Sequence, residues 1–120
     1  MAERLKVLFV CSKNQWRSPT AEAIYRDDAT LSVRSRGTSN TAARPIREKD
    51  LLWADLVLVM EQKHRSRLLA DFPGTNKFLT IHVLDIPDDY RYMDAELVQM
   101  LRIAADPFID DFHSQSPTTS

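Results

Sequence analysis

Val7-Leu8-Phe9-Val10-Cys11-Ser12-Lys13-Asn14-Gln15-Trp16-Arg17-Ser18-Pro19-Thr20-Ala21-Glu22-Ala23-Ile24-Tyr25 is the stretch on which the reading of this chain turns. A run of four apolar residues ends at Cys11, the only cysteine, and Arg17 follows further along. Ser18-Pro19 directly after the arginine is a helix opening, with Ser18 as N-cap and Pro19 in the first helical position. The implied order is buried strand, tight loop, helix N-terminus. Such a loop aims successive backbone N–H groups at one point, where the helix dipole also favours negative charge. An anion held there lies between a thiol and a guanidinium. That setting favours the thiolate, and a thiolate facing a bound phosphoryl group is an activated nucleophile.

Working outward, the 120 residues suit one domain with an ordinary soluble composition: 43% hydrophobic and 28% charged. A net charge of −1 gives no reason to expect nucleic acid or an anionic membrane as partner. No apolar run has the length of a membrane span, and the opening residues lack the pattern of a signal peptide. A single cysteine forbids an internal disulfide and a cysteine-rich metal site, so a reducing cytoplasm is the expected location. The chemistry sketched above calls for neither a metal nor a cofactor.

Leu5 to Val10 reads as a central parallel strand and Ser18 to about Ala29 as a first helix. Leu31 to Ser35 alternates as a second, more exposed strand and leads into a loop where Gly37 is expected to hold a positive φ. Arg44 to Trp53 holds a polar loop and a short helix. Asp55 to Met60 is another buried strand. Glu61 to Phe72 reads as a helix with Leu68, Leu69 and Phe72 facing the core, which leaves His64 on an exposed face. Phe78 to Leu84 is a fourth strand, with His82 inside it. A last helix begins at Asp94, carries Leu97, Leu101 and Ala104 on one face, and is ended or kinked by Pro107. Residues 113–120 read as a disordered tail behind a domain of residues 1–112. The fold class is therefore α/β: a single three-layer domain, its short four-stranded parallel sheet flanked by helices. Ligands of such sheets sit beyond the carboxyl ends of the strands, where Cys11, Gly37, Met60-Glu61 and the stretch after Leu84 all fall.

With this context, Cys11, Asn14, Arg17, Ser18 and Pro19 resemble the signature loop of the low-molecular-weight protein tyrosine phosphatases, C-x-x-N-x-x-R-S-P, and Thr20-Ala21-Glu22 continues the likeness. Ser35-Arg36-Gly37-Thr38 is similar to that family's S-A-G-T, with Arg36 in place of a small residue. Asp85-Ile86-Pro87-Asp88-Asp89-Tyr90 resembles its D-I-x-D-P-aromatic run, with Asp89 in place of the proline. The segment between Thr38 and Trp53 is abbreviated relative to the family, which implies a more open pocket.

The resemblance implies a phosphatase acting through a cysteinyl-phosphate. Cys11 is the implied nucleophile, Arg17 the bidentate clamp on the phosphoryl oxygens, and Asp88 the general acid. Ser12, Lys13, Asn14, Gln15, Trp16, Ser18 and Tyr90 complete the implied substrate site. Within it, Asn14 takes a left-handed backbone, Ser18 serves the thiolate and Tyr90 forms an aromatic wall. Lys13 replaces the motif's glycine. Trp16 stands where relatives carry a second cysteine, as a pocket wall or packed behind the loop. The implied partner is a phosphorylated protein or a small aryl phosphate, with phosphotyrosine first. Gln15 is polar where tyrosine-specific members are apolar, which brings in phosphoarginine, and the loop is also close to that of certain phosphoserine phosphatases. Arsenate reductases share the loop, but their thiol relay needs further cysteines. A phosphate- or phosphopeptide-binding module is the rival of another class. It would need Arg17 and the amides but neither a thiol nor an acid.

Overall fold

A computed structural model describes residues 4–75 and 79–115. Among the described residues eight elements alternate: β1 (Leu5–Cys11), α1 (Arg17–Tyr25), β2 (Leu31–Gly37), α2 (Glu48–Trp53), β3 (Leu56–Val59), α3 (Gln62–Asp71), β4 (Ile81–Val83) and α4 (Ala95–Gln115). The four strands form one parallel sheet in the order β2-β1-β3-β4. In this order the chain turns one way from β1 to β2 and the other way to β3. The switch point therefore lies between β1 and β3, where doubly wound sheets open a crevice. Cys11 ends β1 at that point and Met60-Glu61 follows β3 beside it.

The strand period of two sorts the core into two layers. Leu5, Val7, Phe9 and Cys11 of β1 join Leu56, Leu58 and Met60 on one face, under Ala21 and Tyr25 of α1 and Leu97, Leu101, Ala105 and Ile109 of α4. Leu8 and Val10 join Val57 and Val59 on the other, under Leu51 of α2 and Leu68 of α3. Each fully buried Leu contributes about 1.5–3 kcal/mol relative to exposure, so β1, with Val7 to Val10 all at 0% exposure, anchors both layers. Among the described residues no helix is long and apolar enough to cross a membrane.

Several boundaries depart from the sequence reading. Helix α1 starts at Arg17 with Trp16 in the N-cap position, so Ser18 does not cap it and Pro19 sits two positions further in. Proline is still tolerated there because the first four N–H groups of a helix have no intrahelical partner. Strand β2 runs on to Gly37, whose φ is not positive. Its lack of a side chain serves close approach instead: a Cβ there would meet the Ala42 Cβ at 2.5 Å and the Ser12 carbonyl oxygen at 2.6 Å. Leu69 is exposed, while Leu68 alone of the expected α3 trio is fully buried. On α4 the buried stripe falls on Ala105 rather than Ala104. That helix runs past Pro107 and through residues 113–115, where a tail was expected. The carbonyl of Ile103, which loses its partner to the proline, lies on the exposed face, where water can serve it. Residues 116–120, and Phe78 at the start of the expected fourth strand, lie outside the described residues.

Candidate active site

The loop between Cys11 and Arg17 is shaped by what its carbonyls do. Those of Cys11, Ser12 and Lys13 accept from Thr38, Ser39 and Ala43 N–H at 2.9, 3.0 and 3.0 Å. A trans peptide sets each carbonyl opposite the following N–H. The amides of Ser12, Lys13 and Asn14 are thus turned away from the 38–43 segment, and among the described residues no backbone group accepts from them. Asn14 completes the bend in the left-handed region at φ 56°, as expected from its type. It is 3% exposed and held on both sides: its Nδ2 donates to Ser18 Oγ (2.9 Å), and its Oδ1 accepts from Arg44 Nε (3.1 Å).

Cys11 is 3% exposed, with its Sγ 2.9 Å from Ser18 Oγ. Because Asn14 already donates to that hydroxyl oxygen, the Ser18 proton is left for the sulfur or for the Arg36 carbonyl at 3.4 Å, and the sulfur is nearer. This contact supplies what the capping role would have used. Ser18 faces the thiol rather than its own helix end.

Arg17 is 2% exposed and anchored by partners the sequence reading did not assign to it. Its Nη1 donates to Glu61 Oε1 (2.6 Å) and to the Ile86 carbonyl (2.8 Å), and its Nε lies 3.6 Å from Asp88 Oδ1. The guanidinium thereby ties the end of β3 to the loop that follows β4. Its hydrogen bond holds the Glu61 carboxyl below the ordinary glutamate range. The only advance signal for Glu61 was its place directly after a buried strand.

Cys11, Ser12, Lys13, Gln15, Trp16, Arg17 and Asp88 line one small pocket of about 40 Å³. All are expected site residues, brought together from β1, its loop, α1 and the 85–90 loop. Trp16 is 38% exposed and serves as a pocket wall, with the Arg91 guanidinium 5.8 Å from its ring centre. Asn14 and Ser18 stand behind the loop rather than in the pocket. Tyr90 does not line it: its hydroxyl donates to Glu96 (2.8 Å) and its ring packs against the core layer under α4. Asp85 borders a different cavity, with Glu61 and Pro87. The Lys13 ammonium donates to Thr41 Oγ1 (2.7 Å) and Ser39 Oγ (3.4 Å), which ties it to the abbreviated segment. That segment borders a broad open groove of about 710 Å³ on the far side of Ser12.

His64 overturns the expectation of an exposed bystander. It is 1% exposed, its Nδ1 accepts from Glu61 N–H (3.0 Å), and its Nε2 lies 2.8 Å from Ser12 Oγ. His82, the other bystander, stacks on Phe108 with ring centres 4.1 Å apart.

No protein-family model matches the chain. Low molecular weight protein-tyrosine-phosphatase PtpB of Staphylococcus aureus is 30% identical over 101 residues, 65% of this chain and 72% of the relative. The fold is shared with the tyrosine phosphatase Wzb from Escherichia coli K30, solved in complex with phosphate (TM-score 0.71, 20% identity, 88% of this chain and 96% of that one). It is shared also with YwlE arginine phosphatase from Geobacillus stearothermophilus (TM-score 0.63, 18% identity, 91% and 96%). The class is that of cysteine-dependent phosphatases. The chain belongs to the low molecular weight protein-tyrosine-phosphatase family.

Proposed function

We propose that this chain hydrolyses the phosphate monoester of a phosphorylated protein, phosphotyrosine first, through a cysteinyl-phosphate on Cys11. The observation that carries the reading is the convergence of Cys11, Arg17 and Asp88 on one pocket of phosphoryl size. The Cys11 thiolate attacks phosphorus, the bond from phosphorus to the ester oxygen breaks, and Asp88 gives its proton to the leaving oxygen. Arg17, its Nη1 already held by Glu61 and Ile86, stabilises the spreading charge on the equatorial oxygens. Water then breaks the sulfur–phosphorus bond, giving its proton back to Asp88. Inorganic phosphate leaves, and the Ser18 hydroxyl supports the departing thiolate.

Trp16 supplies the aromatic surface for a phosphotyrosine ring. A second reading has one observation in its favour: Gln15, polar, lines the pocket, which suits a guanidino-phosphate. The lone free thiol fits a reducing, cytoplasmic setting.

The test is turnover of phosphotyrosine, phosphoarginine and phosphoserine peptides by the purified protein and by its Cys11→Ser variant. Hydrolysis by the wild type, abolished in the variant while phosphate still binds, is the expected result, with phosphotyrosine fastest. A variant that keeps even about a tenth of the rate sinks thiolate catalysis, since the serine hydroxyl that replaces the thiol is a far weaker nucleophile than a thiolate. No turnover by the wild type identifies a binding module.

A further inference from the structure

The hydrogen bonds of His64 have a fixed direction. Its Nδ1 accepts the Glu61 N–H, so the proton of the neutral ring sits on Nε2. Nε2 therefore donates, and Ser12 Oγ, 2.8 Å away, accepts. A hydroxyl has one proton, and with a donor already facing it from His64, Ser12 must direct that proton elsewhere. Ser12 follows the nucleophile and lines the same small pocket as Cys11 and Arg17. We propose that His64 is a positioning residue that turns the Ser12 hydroxyl into a fixed donor to an oxygen of the bound phosphoryl group. The inference rests on the reading of that pocket as the phosphoryl site.

Burial keeps the ring neutral, as this direction requires. Desolvation, with the Arg17 charge from α1 and Lys63 from α3, lowers the His64 pKa to about 4 against the opposing pull of Glu61. The arrangement also spares Ser12 a choice of rotamer: a hydroxyl free to turn toward solvent pays an ordering cost on binding that a pre-set one does not.

Two substitutions separate the two nitrogens. In His64→Asn the side-chain oxygen stands where Nδ1 stood and still accepts the Glu61 N–H, but nothing reaches Ser12. In His64→Gln the longer amide reaches Ser12 and gives up the bond near Glu61. The measurement is inorganic phosphate affinity by titration, together with KM and kcat on an aryl phosphate and the melting temperature of each variant. Ser12→Ala should weaken phosphate binding about tenfold, the worth of one hydrogen bond to a charged group. His64→Asn should match that loss while melting near the wild type, and the double variant should be no worse than either single one, since both remove the same interaction. His64→Gln should bind phosphate within about threefold of the wild type although less stable. Normal phosphate affinity in Ser12→Ala overturns the proposal whatever the His64 variants do. Normal affinity in His64→Asn, or a His64→Gln no better than His64→Asn, overturns it as well. A wild type that binds phosphate but turns over no aryl phosphate would sink the catalytic reading and leave this test standing.

Discussion

Acidification should cost this protein stability through one imidazole. His64 is buried in the folded chain, with its pKa lowered from 6.5 to about 4, chiefly by desolvation and next by the Arg17 charge. The unfolded chain therefore takes up a proton at this site before the folded chain does. The neutral ring's contribution is intact above about 6.5, is lost as pH falls, and is gone once the folded ring protonates near 4. A tenfold difference in proton affinity between the two states corresponds to about 1.4 kcal/mol, so about 2 kcal/mol should disappear between about pH 7 and about pH 4.5. A protonated Nδ1 would also confront the Glu61 N–H that it now accepts from. The assay is urea unfolding at both pH values for the wild type and His64→Asn, with equal m-values as the condition for comparison. The Glu61 and Asp28 carboxyls, both held low by hydrogen bonds, contribute stability that is lost only as pH falls through their own lowered values. Asp28 is untouched by the substitution and Glu61 keeps its leading cause, the Arg17 hydrogen bond, in both proteins, so their difference reports the imidazole together with its small charge effect on Glu61. Equal losses in both proteins, or a wild type indifferent to pH over this window, would refute the reasoning.

Two further outcomes follow from the loops around the pocket. Asp88→Ala should lower kcat on poor leaving groups by about 10²–10⁴ while leaving activated aryl phosphates much less affected. Asp85→Ala, whose side chain borders another cavity, should show no such leaving-group dependence, and the reverse pattern would move the acid to Asp85. Gly37→Ala should destabilise by about 1–3 kcal/mol, the usual cost of overpacking, and weaken phosphate binding. The added Cβ would press on Ala42 and on the Ser12 carbonyl, and unchanged melting and phosphate titrations would show that the 38–43 segment yields freely.

What could be read from the chain alone was local. Val7 to Val10 are apolar on both alternating faces because β1 is covered by a helix layer on each side, and a continuous apolar run registers that directly. Asn14 announces its left-handed bend through its own side chain, and Cys11 and Arg17 fall at the ends of elements, with Asp88 in the loop after β4, in an order that fixes where they meet. The failures are polar contacts between distant segments. His64 meets Ser12 across 52 positions, whereas helical periodicity weighs neighbours on α3 alone and so sends it to solvent. The parallel order β2-β1-β3 sets the start of α3 beside the end of β1, so the inward side of that first turn, where His64 sits, faces the loop after Cys11. Topology was thus the one signal that could have found it. Arg44, which holds Asn14 from 30 positions away, had no such signal.

Two of the departures from the family pattern, Asp89 and Arg36, show how physical context decides what a substitution means. Asp89 replaces a proline that would have fixed the backbone before the aromatic residue, and here Tyr90 turns to Glu96 and the core. Trp16 lines the pocket in its place, so the aromatic surface there comes from the loop after Cys11. Arg36 replaces a small residue beside the phosphate loop, where a free guanidinium would compete with Arg17 for an anion. It does not stay free: its Nε lies 3.2 Å from the fully buried Asp50 carboxylate, which also takes Arg34 Nη1 at 3.2 Å and the Arg47 N–H at 3.0 Å. A buried carboxylate with one partner removed costs far more than an exposed pair contributes, so Asp50 holds Arg36 away from the pocket as firmly as Arg36 satisfies Asp50. The charge that looked out of place in the sequence belongs to the α2 layer, and among the described residues the cations that line the small pocket are Arg17 and Lys13.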